Sequence, residues 1–376
     1  MNRSTMFFIV SLILTATVHA DAVAKSDSNL NEQYRPKLFK QFGDHVNTPD
    51  GMAQDSHDNI YMAAPNYVNP SYPGAILKMD KTSGQWSIFV TALIHPETGR
   101  GAPMGMEFAQ DGNLYYCDNQ YFNNKNYKSR IMRVVIDKAG EPVRIEPVVE
   151  NIKLANALRV RGNAIFFTDT FFDVPGKNLG GVYRVPLSAF NDRPVGLLPK
   201  EQAANDPYCL GVTETTPLAH RKDTASADGL CIDQKGNLYT GNFGDGHFYT
   251  LKLKTDGTYE KPATLFNDPT VFPCCDGICY YAKKNWVIIT DSERNAIRYW
   301  DIKEGKMGLL WENDDTDGAD GLLDQPCEPM VWGDKLLVVN FDMAFPGLKN
   351  TRNDDVHSLS VIDLKKPGCP FLNLFR

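Results

Sequence analysis

Short hydrophobic runs alternate with polar turns along most of the chain. The runs are about four residues long, are rich in Ile, Leu, Val, Tyr and Phe, and end at Gly, Asp, Asn or Lys. This pattern is typical of short β-strands joined by tight turns. Apolar residues do not recur at helical spacing between the runs, so the pattern argues against all-helical and α/β folds.

One phrase of this pattern recurs six times, as in PDGMAQDSHDNIYMAA and ADGLCIDQKGNLYTGN. The copies begin at Pro49, Pro103, Ala155, Ala227, Cys275 and Cys327. Each copy predicts two strands, a third strand follows each copy, and several copies lead into a weaker fourth strand, as in KTSGQWSIFV. Four strands per unit at a period near 50 residues predict an all-β fold, a six-bladed β-propeller of four-stranded blades.

One interval between the repeats is longer than the others. The repeated position recurs after 54, 52, 72, 48 and 52 residues. The long interval contains residues 196–223, a polar segment rich in Pro and Thr. This composition predicts a loop insertion, which we expect to form one wall of a pocket.

The first strand of each propeller blade lines the central channel, so a residue at a fixed place in every repeat belongs to a ring around the axis. The predicted ring is Asp50, Met104, Asn156, Asp228, Asp276 and Glu328. Four carboxylates and one amide in a narrow channel would repel one another, and a divalent cation would relieve the repulsion. Such oxygen ligands suit Ca²⁺ or another hard divalent cation. The predicted metal ligands are therefore Asp50, Asn156, Asp228, Asp276 and Glu328.

A local role is the alternative for each of these residues. Asp-Gly and Asn-Ala pairs before a strand are common turn elements, in which the side chain bonds the neighbouring backbone. Ser or Gly would serve a turn equally well, yet five of the six positions carry a side-chain oxygen. A second polar series ends the second strands, and we interpret it as structural because every turn must satisfy its backbone groups. This series is Asp118, Asp169, Asn242, Asp291 and Asn340.

Composition and charge narrow the class of protein. The 376 residues carry a net charge of −7 and no basic cluster, which argues against nucleic acid as a partner.

The N-terminus predicts a signal peptide over residues 1–20, because it contains Arg3, then an apolar run and then the triplet VHA. We therefore expect a secreted protein, extracellular or periplasmic, with one propeller domain over residues 21–376 and no membrane span. We expect it to be a monomer.

All eight cysteines follow the predicted signal peptide, and export would permit disulfides, whose pairing the sequence does not determine. The spacing of Cys274, Cys275 and Cys279 lacks the paired CxxC pattern of a zinc site.

Several phrases resemble a known family. PDGMAQD, LANALRV, SADGLCIDQKGNLYTGNFGDGHFYTL and CCDGICYY resemble the gluconolactonase and regucalcin (senescence marker protein) family of six-bladed propellers. The stretch DNIYMAAPNYVNPSYPGAILKMDKTSG is similar to the diisopropyl-fluorophosphatases, and paraoxonases are more distant members of that superfamily. The likeness covers most of residues 40–365. It implies a Ca²⁺ at the top of the channel that activates the hydrolysis of lactones, esters or phosphoesters.

The resemblance also implies roles for single residues. Family ligands come from the first, third, fourth and fifth blades, which correspond here to Asp50, Asn156, Asp228 and Asp276. Asp50 replaces a usual Glu, and Asp228 replaces a usual Asn. In the order of the blades, Asp276 corresponds to the family's base or nucleophile. The residues immediately around Asp228, however, resemble the family sequence at that position more closely. Both therefore remain candidate catalytic residues. Glu328 has no firm counterpart.

These observations predict a secreted calcium-dependent hydrolase that acts on a small lactone, ester or phosphoester. A ring carboxylate would activate water or attack the substrate directly. The alternative is a secreted propeller without catalysis that binds a small ligand or a protein, since the fold alone does not decide the function. A strictosidine-synthase-like enzyme is disfavoured, because it would need a channel glutamate and no metal, and Glu328 is the only glutamate in the predicted ring.

Overall fold

The strands form six antiparallel sheets in the order of the sequence repeats. The computed structural model describes residues 32–365, so the predicted signal peptide over residues 1–20 lies outside the described residues. Five sheets have four strands, and one gains a short fifth strand. The prediction of a six-bladed β-propeller with four-stranded blades is confirmed.

The first half of the chain supplies three blades and one closing strand. A 3₁₀ helix at Glu32–Tyr34 precedes β1 (Lys37–Phe42). Blade 1 contains β2 (Met52–Gln54), β3 (Ile60–Ala64), β4 (Ala75–Met79) and β5 (Trp86–Thr91). Blade 2 contains β6 (Pro103–Phe108), β7 (Leu114–Asp118), β8 (Ser129–Ile136) and β9 (Pro142–Ile152). Blade 3 contains β10 (Ala155–Arg161), β11 (Ala164–Phe172) and β12 (Leu179–Pro186), and 3₁₀ helices follow at Leu187–Ala189 and Lys200–Asn205. Between those helices β13 (Val195–Gly196) pairs with β9, and β14 (Cys209–Glu214) completes blade 3.

The second half supplies the remaining blades. Blade 4 contains β15 (Ala227–Ile232), β16 (Leu238–Asn242), β17 (Phe248–Leu251) and β18 (Ala263–Phe266). Blade 5 contains β19 (Ile278–Tyr281), β20 (Trp286–Asp291), β21 (Ala296–Asp301) and β22 (Lys306–Glu312). Blade 6 contains β23 (Pro326–Trp332), β24 (Lys335–Asn340) and β25 (His357–Asp363), together with β1.

The second strand of a blade carries the most continuous apolar run because both of its faces are covered. Every residue of β3, β7 and β16 is buried. A strand covered on both faces does not alternate between apolar and polar residues. The outer strands β5 and β18 are exposed or half-buried, which explains their weaker hydrophobic pattern in the sequence.

Strand pairing between distant parts of the chain closes the ring of blades. β1 pairs antiparallel with β25, from Lys37 opposite Val361 to Phe42 opposite His357. Blade 6 therefore takes its outer strand from the beginning of the described chain and its other three strands from the end. This pairing covers the outer edge of β25, which would otherwise have unpaired backbone groups.

Residues 196–223 differ from the loop that their composition predicts. The segment contains a 3₁₀ helix and β14, the outer strand of blade 3. Lys200 of this segment is buried, with Nζ 3.1 Å from Asp169 Oδ2 and 3.2 Å from the Tyr183 hydroxyl. The loop prediction is thus wrong for β14, because a short strand between polar stretches leaves little hydrophobic pattern. The end of the segment, at Lys222 and Asp223, does line a pocket.

No helix within residues 32–365 is long and apolar enough to cross a membrane. Seven of the cysteines lie in this range, and all seven are free thiols.

Candidate functional site

The inner strands of neighbouring blades contact one another in sequence order around the channel. In β6, β10 and β15 a bulge places two residues opposite one residue of the second strand. The first residue of each pair is Met104, Asn156 or Asp228, and all three line one pocket. A bulge redirects side chains in this way. Asp50 and Asp276, which precede β2 and β19, line the same pocket.

The sixth ring position is Cys327 and not Glu328, which the internal repeat predicted. The bulge in β23 lies between Pro326 and Pro329, and Cys327 is the first residue of its pair and lines the pocket. A shift of one residue turns a strand side chain to the opposite side. The Glu328 carboxylate accordingly faces Arg159, whose Nη2 lies 2.5 Å from Oε1. We therefore leave Glu328 out of the proposed ligand set.

Arg159 makes contacts with residues of several blades. Besides Glu328, its guanidinium donates to the carbonyl oxygens of Leu158 at 2.8 Å and Ile278 at 3.0 Å. The carboxylates of Glu107 and Glu328 both raise the pKa of Arg159, against the effect of burial. Arg159 thus balances two carboxylates from other blades and contacts blade 5 through the carbonyl oxygen of Ile278.

The glycine after a ring residue permits the close approach of neighbouring inner strands. A Cβ atom on Gly105 would lie 2.5 Å from the carbonyl oxygen of Asn156, and one on Gly229 would collide with the carbonyl of Asp276. Glycine is the residue that tolerates such contact with a backbone. Because the glycine by itself permits the close approach of the strands, the acidic residue before it is not needed for this packing and can take part in the pocket.

Three acidic side chains contribute to the floor of the pocket. Burial raises the pKa of Asp50 well above its usual range, and the charges of Asp276 and Glu328 raise it further. Burial also raises the pKa of Asp228, with additional effects of Asp276 and Asp50. Burial raises the pKa of Asp276 to about 7, although a hydrogen bond from Ser292 opposes this. Bare carboxylates are therefore costly here, and a cation would relieve the cost.

Asp276 and Asp228 differ in their hydrogen bonds. Asp276 Oδ1 accepts the Gly277 amide at 2.9 Å, and Oδ2 lies 2.6 Å from the Ser292 hydroxyl. These two contacts fix the orientation of the Asp276 carboxylate. Asp228 is 4% exposed, and its Oδ1 is buried with no hydrogen-bond partner. An orphaned buried oxygen beside other carboxylates is what a site for a hard cation offers.

Aromatic side chains surround the pocket, which has a volume of about 300 Å³. Tyr121 stacks on Phe171 with ring centroids 4.7 Å apart, and Phe122 stacks on Phe345 at 6.2 Å. The aromatic lining residues are Tyr121, Phe122, Phe171, Phe243, Phe341 and Phe345. The pocket thus combines a polar, acidic floor with an apolar wall.

The sequence prediction did not include these aromatic residues. A usable signal was present, because an aromatic residue closely follows the polar residue of the second series in four repeats: DNQYF, DTFF, NF and NF. The second polar series itself lies deeper and has the structural role expected of it. Asp118 accepts the Ala102 amide at 2.8 Å and pairs with Arg130, and Asp291 pairs with Arg298 at 2.8 Å.

Comparison with known proteins identifies the fold. No family model matches the chain, and no curated protein matches its sequence. Among solved structures, a gluconolactonase of Xanthomonas campestris has a TM-score of 0.52 at 13% identity, covering 88% of this chain and 95% of that one. Regucalcin of Agrobacterium tumefaciens, described as a calcium-binding protein, has a TM-score of 0.55 at 11% identity, with 88% and 93% covered.

A third similar structure has a different activity. The aldose sugar dehydrogenase of Streptomyces coelicolor, in its PQQ-bound form, has a TM-score of 0.57 at 15% identity, with 87% and 97% covered. At such identities the likeness shows the fold alone. The chain therefore shares its propeller fold with gluconolactonase and regucalcin, as the sequence resemblance indicated.

Proposed function

We propose that this protein is a metal-dependent hydrolase of lactones or related esters, with its active site at the ring. The observation that supports this most strongly is the orphaned Oδ1 of Asp228, which lies in a pocket with Asp50, Asn156 and Asp276. The gluconolactonase and regucalcin likeness favours the same reaction class. Secretion, predicted from residues 1–20, is part of the proposal.

Asp50, Asn156, Asp228 and Asp276 would hold the ion, and Ca²⁺ is the cation that suits this donor set. A bound cation of this kind polarises a carbonyl or phosphoryl oxygen. The oxygens of the ring carboxylates do not all lie within 4.8 Å of one another, so the carboxylates would have to move closer together around an ion, or one of them would reach it through a water molecule.

Asp276 is the preferred base or nucleophile because its carboxylate has a fixed orientation. Ser292 and the Gly277 amide hold its two oxygens, and catalysis requires such positioning. Asp228, with its orphaned oxygen, is assigned mainly to ion binding. The aromatic wall would receive the apolar part of a substrate, so lactones and esters with alkyl or aryl groups are favoured over fully polar sugars.

The test measures hydrolysis of alkyl lactones, aryl esters and a phosphotriester, with Ca²⁺ and after chelation. Asp276→Asn is expected to lower kcat/KM by about 100-fold or more. Asp256→Asn, which changes an exposed turn carboxylate, serves as the control. Absence of turnover for every substrate, or turnover that is insensitive to chelation and to Asp276→Asn, would refute the proposal.

A second candidate function is the binding of a small organic cation. Aromatic rings such as Tyr121 and Phe122 above a floor of carboxylates are the combination that recognises quaternary ammonium groups. Calorimetric titration of the metal-free protein with tetramethylammonium and choline distinguishes the two. Micromolar binding without hydrolysis of any substrate would favour this alternative.

A further inference from the structure

A second group of carboxylates lies in blade 6, away from the ring. Asp324 precedes β23, Asp342 follows β24, and Asp354 precedes β25. One carboxylate oxygen from each lies within 4.8 Å of the others. Within residues 32–365 this is the only group of three acidic, histidine or cysteine side chains that meets this limit.

Asp324 has no partner in its surroundings. Its side chain belongs to a residue that is 1% exposed, and neither Oδ1 nor Oδ2 has a hydrogen-bond partner. Only its backbone amide is engaged, donating to Asn340 Oδ1 at 3.1 Å. A buried carboxylate with both oxygens unpaired is costly. This orphaned side chain, directed at two other acids, indicates that a ligand belongs between them.

The other two acids are only partly compensated. Asp342 accepts Asn350 Nδ2 at 3.2 Å, and Asp354 accepts the Val356 amide at 2.8 Å. His357 Nδ1 is buried without a hydrogen-bond partner, 3.7 Å from Asp342 Oδ2. In the described part of the chain, no lysine or arginine forms an ion pair with any of the three acids.

The three oxygens are close enough together to share one cation. Oxygens bound to one Ca²⁺ at about 2.4 Å lie no more than about 4.8 Å apart, and these oxygens meet that limit. Burial raises the pKa of Asp324 to about 9, and the charges of Asp342 and Asp354 contribute to this. The three carboxylates, which repel one another when no cation is bound, would each be attracted to a bound cation.

We propose that Asp324, Asp342 and Asp354 bind a second divalent cation, with Ca²⁺ favoured by their all-oxygen donor set. The site would link the loop before β23 to the loop between β24 and β25. Gln325 next to Asp324 and Phe341 next to Asp342 both line the pocket. The bound ion therefore fixes the pocket wall contributed by blade 6, whether or not the ring also binds an ion.

The test counts Ca²⁺ ions by calorimetric titration of chelator-treated protein. The double variant Asp324→Asn/Asp342→Asn is expected to bind one Ca²⁺ fewer per chain than the unsubstituted protein. It should also lose the Ca²⁺-dependent rise in Tm that this site produces. Asp256→Asn is the control and should change neither quantity. Asp354→Asn, at a partly exposed position, is the second variant in case the double variant does not fold.

A ring variant, Asp50→Asn/Asp228→Asn, separates the two sites. It should retain the ion of blade 6, and its loss of lactone hydrolysis reports on the ring alone. The proposal is overturned if the blade 6 variants bind as many Ca²⁺ ions as the unsubstituted protein, or if the ring variant binds none. If the three blade 6 acids share protons and bind no cation, their substitution will leave the number of bound Ca²⁺ ions unchanged.

Discussion

Ser292 is the residue that positions the Asp276 carboxylate. It is fully buried, and its hydroxyl oxygen lies 2.6 Å from both Asp276 Oδ2 and the carbonyl oxygen of Pro326. Ser292→Ala would leave Asp276 in the pocket but remove one of the contacts that fix its orientation.

We expect Ser292→Ala to lower kcat about tenfold while KM stays nearly constant, because positioning matters most in the transition state. Steady-state kinetics with the best lactone substrate measure both constants. A change in KM alone, or a loss of folding seen by circular dichroism, would contradict a positioning role.

Gly229 illustrates how a single residue sets the distance between blades. Gly229→Ala would force a Cβ atom onto the carbonyl of Asp276, and we expect it to lower the free energy of unfolding by about 2 kcal/mol. Denaturant titration measures the change. Gly196→Ala is the control, because a Cβ atom there meets nothing within 4 Å. Equal effects of both substitutions would show that the close approach of the strands is unimportant.

At the scale of elements, the blades differ in how their strands are supported. The second strands are buried on both faces, whereas outer strands depend on a single neighbour. β1 is an outer strand with a special position, because its only partner, β25, lies at the other end of the described chain.

Deletion of residues through 42, which removes β1, is expected to lower the melting temperature by about 10 °C or more. The physical reason is that blade 6 would lose its outer strand and expose the edge of β25. Differential scanning calorimetry measures the change, with deletion through residue 31 as the control. Similar melting of both truncated proteins would show that β1 does not close the propeller.

At the scale of the whole molecule, charges from different blades meet around Arg159. Glu107 of β6 accepts the Val160 amide of blade 3 at 2.7 Å. Burial raises the pKa of Glu107 to about 7 from an ordinary 4.5, although Arg159 and this hydrogen bond oppose the rise. Folding therefore depends on pH through this contact between blades.

Between about pH 4.5 and 7, the folded protein keeps the Glu107 proton that the unfolded chain has already lost. The folded state then binds more protons, so this group's contribution to stability falls as pH rises through that window and is constant above it. Glu107→Gln should make the stability of the metal-free protein less dependent on pH in this window. Denaturant titrations at pH 5 and pH 7.5 measure this, and parallel profiles for both proteins would contradict it.

The sequence alone was enough to predict the repeat, the strand pattern and thereby the propeller. These features follow from local chemistry, since turn residues and apolar runs act over a few positions. It also placed five of the six ring positions correctly, because the residue before the glycine recurs in most blades. Met104, Asn156 and Asp228 were found in this way, and all line the pocket.

The remaining features could not be predicted in this way, because each depends on contacts between segments that are distant in sequence. The bulge in β23 set the register that turns Cys327 to the pocket and Glu328 to Arg159. The aromatic wall and the acids of blade 6 come from loops whose convergence depends on how the strands pair. A polar or aromatic residue in a loop does not reveal its neighbours until the blades close around the channel.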